Sequence, residues 1–224
     1  MLVTEKFSKS HLSAAVFVSR AYKALDQINQ RDFFLRPKEC KDVIEEIIPI
    51  AAFLKHFEIP GRSVKCKYFG KNHCYEAEIL VSGYFVDMEY SEGKYYLEVT
   101  TAVPESAHLA RMELALTGFT FGDGNIGFVG SKQKGTSKIV SHPAAEDHDA
   151  LVNKTSELIK ERLSDKANGN YPKPCILVIN SELERPLTLH EWLTVVNNIS
   201  ESVNREKFAL TFIMDAFRNT VIPV

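Results

Sequence analysis

The chain has 224 residues, 45% of them hydrophobic and 25% charged, with a formal net charge of −2. That mixture excludes a disordered, collagenous or coiled-coil protein and supports one large domain or two small ones with a real core. The near-neutral charge excludes a globally basic nucleic-acid binder, so any such contact has to come from a local patch. No stretch approaches the roughly 18 apolar residues of a membrane span, and the start of the chain has no signal-peptide pattern. The four cysteines include no CxxC pair. Together these features predict a cytoplasmic protein with reduced thiols and no membrane contact.

Apolar residues at Leu12, Ala15, Val16, Tyr22, Leu25 and Ile28 recur near the helical period, predicting a helix over 11–29. A second helix is predicted over 38–57 through Val43, Ile44, Ile47, Ile48, Ala51 and Leu54. Pro49 should kink it, because the ring clashes with the carbonyl of Glu45. Segments 63–69, 76–89 and 94–101 are rich in Val, Tyr, Phe, Ile and Thr and read as strands, with Ser91-Glu92-Gly93-Lys94 as a hairpin turn. Pro104 stops the third strand before a helix at 105–117. Residues 118–135 hold six of the eleven glycines and read as a loop or irregular hairpin. A helix at 146–165 follows, with Glu146, Asp147 and Asp149 suited to the dipole of its first turn. Then come a buried strand at 174–180, a helix at 188–203 opened by a Thr188/Glu191 capping box, and a strand at 207–213. An antiparallel meander followed by α/β crossovers predicts a mixed α/β fold: a central mixed sheet flanked by helices, with an N-terminal helical extension over 1–37 and the main domain over 38–224.

Several apparent motifs fail on context. Gly122-Asp123-Gly124-Asn125-Ile126-Gly127 matches GxGxxG but runs into Phe128-Val129-Gly130-Ser131, which does not begin a helix that could hold a pyrophosphate. Residues 130–136 have P-loop glycine spacing but lack the lysine after the second glycine. Cys66, His73 and Cys74, with Cys40, could supply zinc ligands, yet without paired spacing the cysteines read better as small core hydrophobes.

The informative segment is 86–102. Asp87 lies near the end of one predicted strand and Glu98 inside the next, between Leu97 and Val99. Alternation puts Tyr96, Glu98 and Thr100 on one face. A carboxylate in so apolar a strand is costly to bury unless it is paired or bound to a cation. Two carboxylates converging across antiparallel strands would suit Mg²⁺, which can activate a water and stabilise charge on a phosphate. The plain alternative is a solvated sheet edge.

A core helix with glutamates, a β-meander, an Asp before a hairpin, Glu98-Val99-Thr100 in the next strand, then a helix and a further strand: this order over residues 38–181 resembles the PD-(D/E)xK nuclease superfamily. The resemblance implies a restriction-endonuclease-like fold and a metal-dependent endonuclease that cuts phosphodiester bonds, with DNA the expected substrate. It implies Mg²⁺ or Mn²⁺ as cofactor. Asp87 and Glu98 match the family's acids. Glu45 or Glu46 matches the glutamate some members add from the first core helix, with Glu46 carried as the ligand. Thr100 falls where the family usually has a lysine, whose charge would offset negative charge developing on the phosphate. Arg111 or Lys134 could supply that charge instead. Lys132, Lys134 and Lys138 in the glycine-rich segment suit a phosphate backbone, as do Lys55, Arg62, Lys65, Lys67 and Lys71 interleaved with Tyr68, Phe69 and Tyr75. Lys166 and Tyr171, ahead of the buried strand, carry no assigned role. The alternatives are a catalytically degenerate module of the same fold binding nucleic acid or a partner protein, and a small-molecule enzyme using the glycine loop. A homodimer is a further option.

Overall fold

The computed structural model describes residues 4–70, 73–83, 93–121, 125–130, 137–143, 147–182 and 187–224. In chain order, α1 (Glu5–Ser8), β1 (Leu12–Ser13), α2 (Ala14–Leu25) and α3 (Gln30–Leu35) precede α4 (Lys38–Asp42), a π-helical turn (Val43–Ile47) and α5 (Ile48–Phe57). The meander is β2 (Arg62–Tyr68), β3 (Ala77–Gly83) and β4 (Gly93–Ala102). It is followed by α6 (Ala107–Thr117) and a separate ribbon, β5 (Ile126–Val129) with β6 (Lys138–Ser141). The chain closes with α7 (His148–Ala167), β7 (Cys175–Ser181), α8 (Leu189–Ile199), β8 (Leu210–Asp215) and β9 (Thr220–Pro223).

Seven strands form one mixed sheet in the order β1-β2-β3-β4-β7-β8-β9, antiparallel through the meander and parallel across β4, β7 and β8. This is the mixed α/β architecture the patterning predicts. Every residue of β7 is buried, as expected of a parallel strand covered on both faces. Phe17, Phe53, Phe57, Val64, Leu97 and Val178 fill the core on one face. Leu163, Leu177, Ile179, Trp192 and Val195 fill it on the other. Phe7, Ala14 and Ala21 join the first of these cores, and β1 pairs with β2, so the segment before residue 38 packs into the sheet domain.

Some boundaries differ from the periodicity. The helix predicted over 11–29 is α2 and starts at Ala14, because Ser13 caps it through the Val16 N–H while Leu12 and Ser13 are drawn into the sheet. Pro49 produces a π-helical turn just before it rather than a simple kink. A proline nitrogen cannot donate to the carbonyl four residues back, and widening the preceding turn relieves the ring clash. The final strand β9 is absent from the predicted elements. Its turn rests on Asp215, which accepts the Arg218 N–H, and on Asn219 in the left-handed region at φ 54. Among the described residues no helix is long and apolar enough to cross a membrane.

Candidate active site

β4 is longer than its neighbour. It pairs with β3 only over Gly93–Leu97, yet with β7 over Tyr96–Ala102. Beyond Leu97 the β3-side edge of β4 is therefore open, and a cavity of about 300 Å³ lies along it. Glu45, Glu46, Glu76, Thr100, Thr101 and Arg162 contribute to its walls.

The antiparallel register Ala77↔Leu97, continued by one residue, sets Glu76 opposite Glu98. The Glu76 N–H donates to the Leu97 carbonyl at 2.9 Å. Its carboxylate accepts the Val99 N–H at 2.7 Å, the first donor left free by the end of β3. The Glu76 and Glu98 carboxyls are in hydrogen-bond contact. Burial, and then the charge of Glu98, push the Glu76 carboxyl up to about 8, against the pull of the Val99 N–H. At neutral pH the pair thus holds a proton, as two adjoining carboxylates must.

Glu98 is itself only 3% exposed. Its partner is Lys166, whose ammonium lies 2.5 Å from Oε1. Lys166 sits in the last turn of α7, and that end of the helix is secured by Lys207, which donates to the carbonyls of Ala167 and Gly169. Glu46 approaches from the π-helical turn, where Tyr68 donates to its Oε2 at 2.5 Å. Its charge also reaches Glu76. Glu45, one residue earlier, turns to a different partner: Arg36 binds it at 3.3 Å and holds Glu182 through two bonds of 3.0 and 2.5 Å.

Of the residues singled out in the sequence, Glu46 and Thr100 line the cavity and Glu98 lies beside it. Asp87, Lys132 and Lys134 lie outside the described residues. Arg111 is on α6, half-buried, and Lys138 is exposed on β6. Glu76 and Lys166 were not among the predicted site residues. Glu76 becomes visible only once the register is known, and Lys166 is 68 positions from its partner. The basic patch on β2 is not a continuous surface. Arg62 is buried against the Phe57 ring and carbonyl, and Tyr68 faces the core, because alternate residues of the strand must fill it. Among the described residues no three His, Cys, Asp or Glu side chains gather into a metal-holding group. Cys66 and Cys175 are buried, and burial raises both thiols, Cys175 to about 12, so neither is a ready thiolate.

No known family, curated protein or solved structure matches this chain. Its function has to be argued from the site.

Proposed function

We propose that the cleft beside β4 is the active site of a metal-dependent endonuclease hydrolysing phosphodiester bonds, with DNA the expected substrate. The observation that carries this reading is the Glu76–Glu98 pair: two hard-oxygen groups in contact, one kept neutral by a proton, beside an open cavity. A proton held between two carboxyls occupies a place that a divalent cation can take over. Mg²⁺ commonly uses only one or two carboxylates and completes its shell with water and phosphate oxygens. The donor set therefore fits Mg²⁺ or Mn²⁺, with Glu76 and Glu98 as holders and Glu46 as the nearby third charge. Bound there, the ion supplies Lewis acidity and an activated water. Lys166 offers the positive charge that Thr100 lacks, and offsets negative charge as it develops on the phosphate. The Thr100 hydroxyl, on the cavity wall, can orient a water. Glu76 has to release its proton to act as a ligand, so activity rises with pH towards 8.

The test is Mg²⁺-dependent cleavage of plasmid DNA, run with Mn²⁺ binding measured by electron paramagnetic resonance. Glu76→Gln and Glu98→Gln should each lose both signals while keeping a native circular dichroism spectrum. Cleavage at the wild-type rate in both variants would overturn the reading. One observation favours a non-catalytic nucleic-acid-binding module instead: Glu98 already has an ammonium partner, and among the described residues no third acid closes the group. DNA binding by the wild type with no cleavage in either metal supports that alternative.

A further inference from the structure

The cavity beside β4 is lined by charges of both signs that do not meet. Glu45, Glu46 and Glu76 supply the acids, and Arg162, from α7, supplies a guanidinium. Lys166 follows Arg162 by four residues, one helical turn, so the two cations share a face of α7. Lys166 is engaged by Glu98. Arg162 is engaged by none of the cavity's acids: among the described residues its one ion pair runs from a terminal nitrogen to Asp165, at 3.0 Å on the same helix. Asp165 is 56% exposed in its side chain, and a surface pair three residues apart contributes little. The Arg162 Nε, by contrast, is buried and has no hydrogen-bond partner. A buried N–H left without an acceptor is costly. The guanidinium therefore keeps a weak partner outside the cavity and lacks a strong one inside it. Acids and a guanidinium that border one space of about 300 Å³ without pairing leave room for a ligand that answers both. A phosphate group does so, because its oxygens can serve a divalent cation and a guanidinium fork at once.

We infer that Arg162 is the phosphate-holding residue of this cavity: it turns from Asp165 and closes its Nε and terminal N–H fork on two oxygens of a phosphate group. That the phosphate belongs to a polynucleotide rests on the nuclease reading above; that Arg162 lacks an acceptor does not. A fork of two parallel donors recognises the phosphate and carries no sequence information, so this contact selects a phosphoester without selecting a base. Asp165 is then the resting partner that keeps the guanidinium in place until the phosphate arrives.

The test is isothermal titration calorimetry with inorganic phosphate, in EDTA and in Mg²⁺, beside Mn²⁺ binding measured by electron paramagnetic resonance. Arg162→Gln should weaken phosphate binding about tenfold or more and leave Mn²⁺ binding as it is. Arg162→Lys should regain only part of the affinity, because an ammonium cannot grip two oxygens as a planar fork does. Asp165→Asn should tighten phosphate binding by about twofold, the worth of the exposed pair it removes. A structural arginine would behave otherwise: Arg162→Gln and Asp165→Asn would both lower the melting temperature and leave phosphate affinity unchanged, which would overturn the inference. So would a wild type that binds no phosphate in either buffer. If the wild type binds Mn²⁺ and cuts DNA while Arg162→Gln keeps full phosphate affinity, the nuclease reading stands and the inference fails. If phosphate affinity falls in Arg162→Gln but the wild type binds no Mn²⁺ and cuts nothing, the phosphate site stands and the nuclease reading fails. A duplex oligonucleotide should displace the phosphate from the wild type. Displacement by thymidine 5′-monophosphate but not by the duplex would keep Arg162 in its role and make the ligand a small phosphate ester.

Discussion

Glu45 and Glu46 are neighbours on one π-helical turn and border one cavity, but they lead to networks built on opposite principles. On the Glu45 side, Arg36, 7% exposed in its side chain, holds Glu182 bidentately and reaches Glu45 as well. Lys41 adds a contact to Glu45 at 3.6 Å, and Arg111 stands by. The carboxylates there are matched by cations. On the Glu46 side the acids are held by different means: Glu98 by the Lys166 ammonium, Glu76 by a proton in contact with Glu98, and Glu46 by the Tyr68 hydroxyl among its partners. The Tyr68 phenol is correspondingly hard to ionise, first through burial and then through its bond to Glu46. The difference separates a network of carboxylates fixed by guanidinium from one in which two carboxyls share a proton. The first should respond to mutation through stability and the second through ligand chemistry.

The largest effect expected is on the side of the proton-sharing pair. Glu98→Gln should cut metal-dependent cleavage by ~10²-fold or more, because it removes a charged ligand at constant shape. Stability should hold or rise, since Lys166 is 26% exposed in its side chain and can turn to solvent while a buried carboxylate is lost. Nicking assays beside urea unfolding check both halves. On the matched side the pattern should invert. Arg36→Ala strands Glu182 and Glu45 and should cost about 3 kcal/mol of unfolding free energy, at the low end for a broken buried pair because Arg111 can move in. Its cleavage rate per folded molecule should change far less than that of Glu98→Gln. A stable Arg36→Ala protein would break the comparison.

A pH series sharpens it. The Glu76 carboxyl is raised from an ordinary value near 4.5 to about 8. Below pH 4.5 it is protonated in both folded and unfolded chains and contributes nothing. Between 4.5 and about 8 the unfolded chain gives up the proton while the folded one keeps it, so the folded chain binds more protons and stability falls as pH rises. Above that window the penalty is complete. Glu76→Gln removes it and keeps an oxygen for the Val99 N–H. The variant should match the wild type near pH 4 and exceed it near pH 8, by on the order of 1–2 kcal/mol for a half-buried group. Chemical denaturation at the two pH values measures the difference, and a gap that does not widen with pH would mean that Glu76 is not holding the proton.

How much of this is legible in the sequence depends on distance along the chain. The unbroken apolar run at Cys175–Ile179 and the Thr188/Glu191 capping box are local signals, and both stand in the structure as the pattern predicts. The meander is legible too, but its register is not. A strand predicted over 76–89 draws attention to an acid at its far end, Asp87, whereas pairing of Val81 with Gly93 and of Ala77 with Leu97 brings the acid at the near end, Glu76, to Glu98. A hairpin's register is set by its turn, and the position of that turn is weakly encoded. Lys166 is beyond any local pattern, because it reaches Glu98 only after α7 crosses over and β7 pairs parallel to β4. The β2 cations show the reverse error, since composition alone cannot say that Arg62 points inward.

The smallest expected effect concerns the lysine position. Thr100 shares a sheet face with Glu98 and lines the cavity, so a lysine introduced there would point at the same carboxyl that Lys166 already serves. In the wild-type background Thr100→Lys should therefore change the nicking rate little, because the second ammonium meets a charge already offset and competes with the metal. In a Lys166→Ala background the same substitution meets an empty place. Lys166→Ala should slow nicking by an amount comparable with the loss of one preorganised donor, about 2.7–4 kcal/mol, and Thr100→Lys should return part of it. Recovery in the double variant alone would show that the two lysines address one point from different elements, one from the strand and one from the end of a helix. An equal gain in both backgrounds would mean that Lys166 serves only to neutralise Glu98, and would move it to the side of the molecule that holds the chain together.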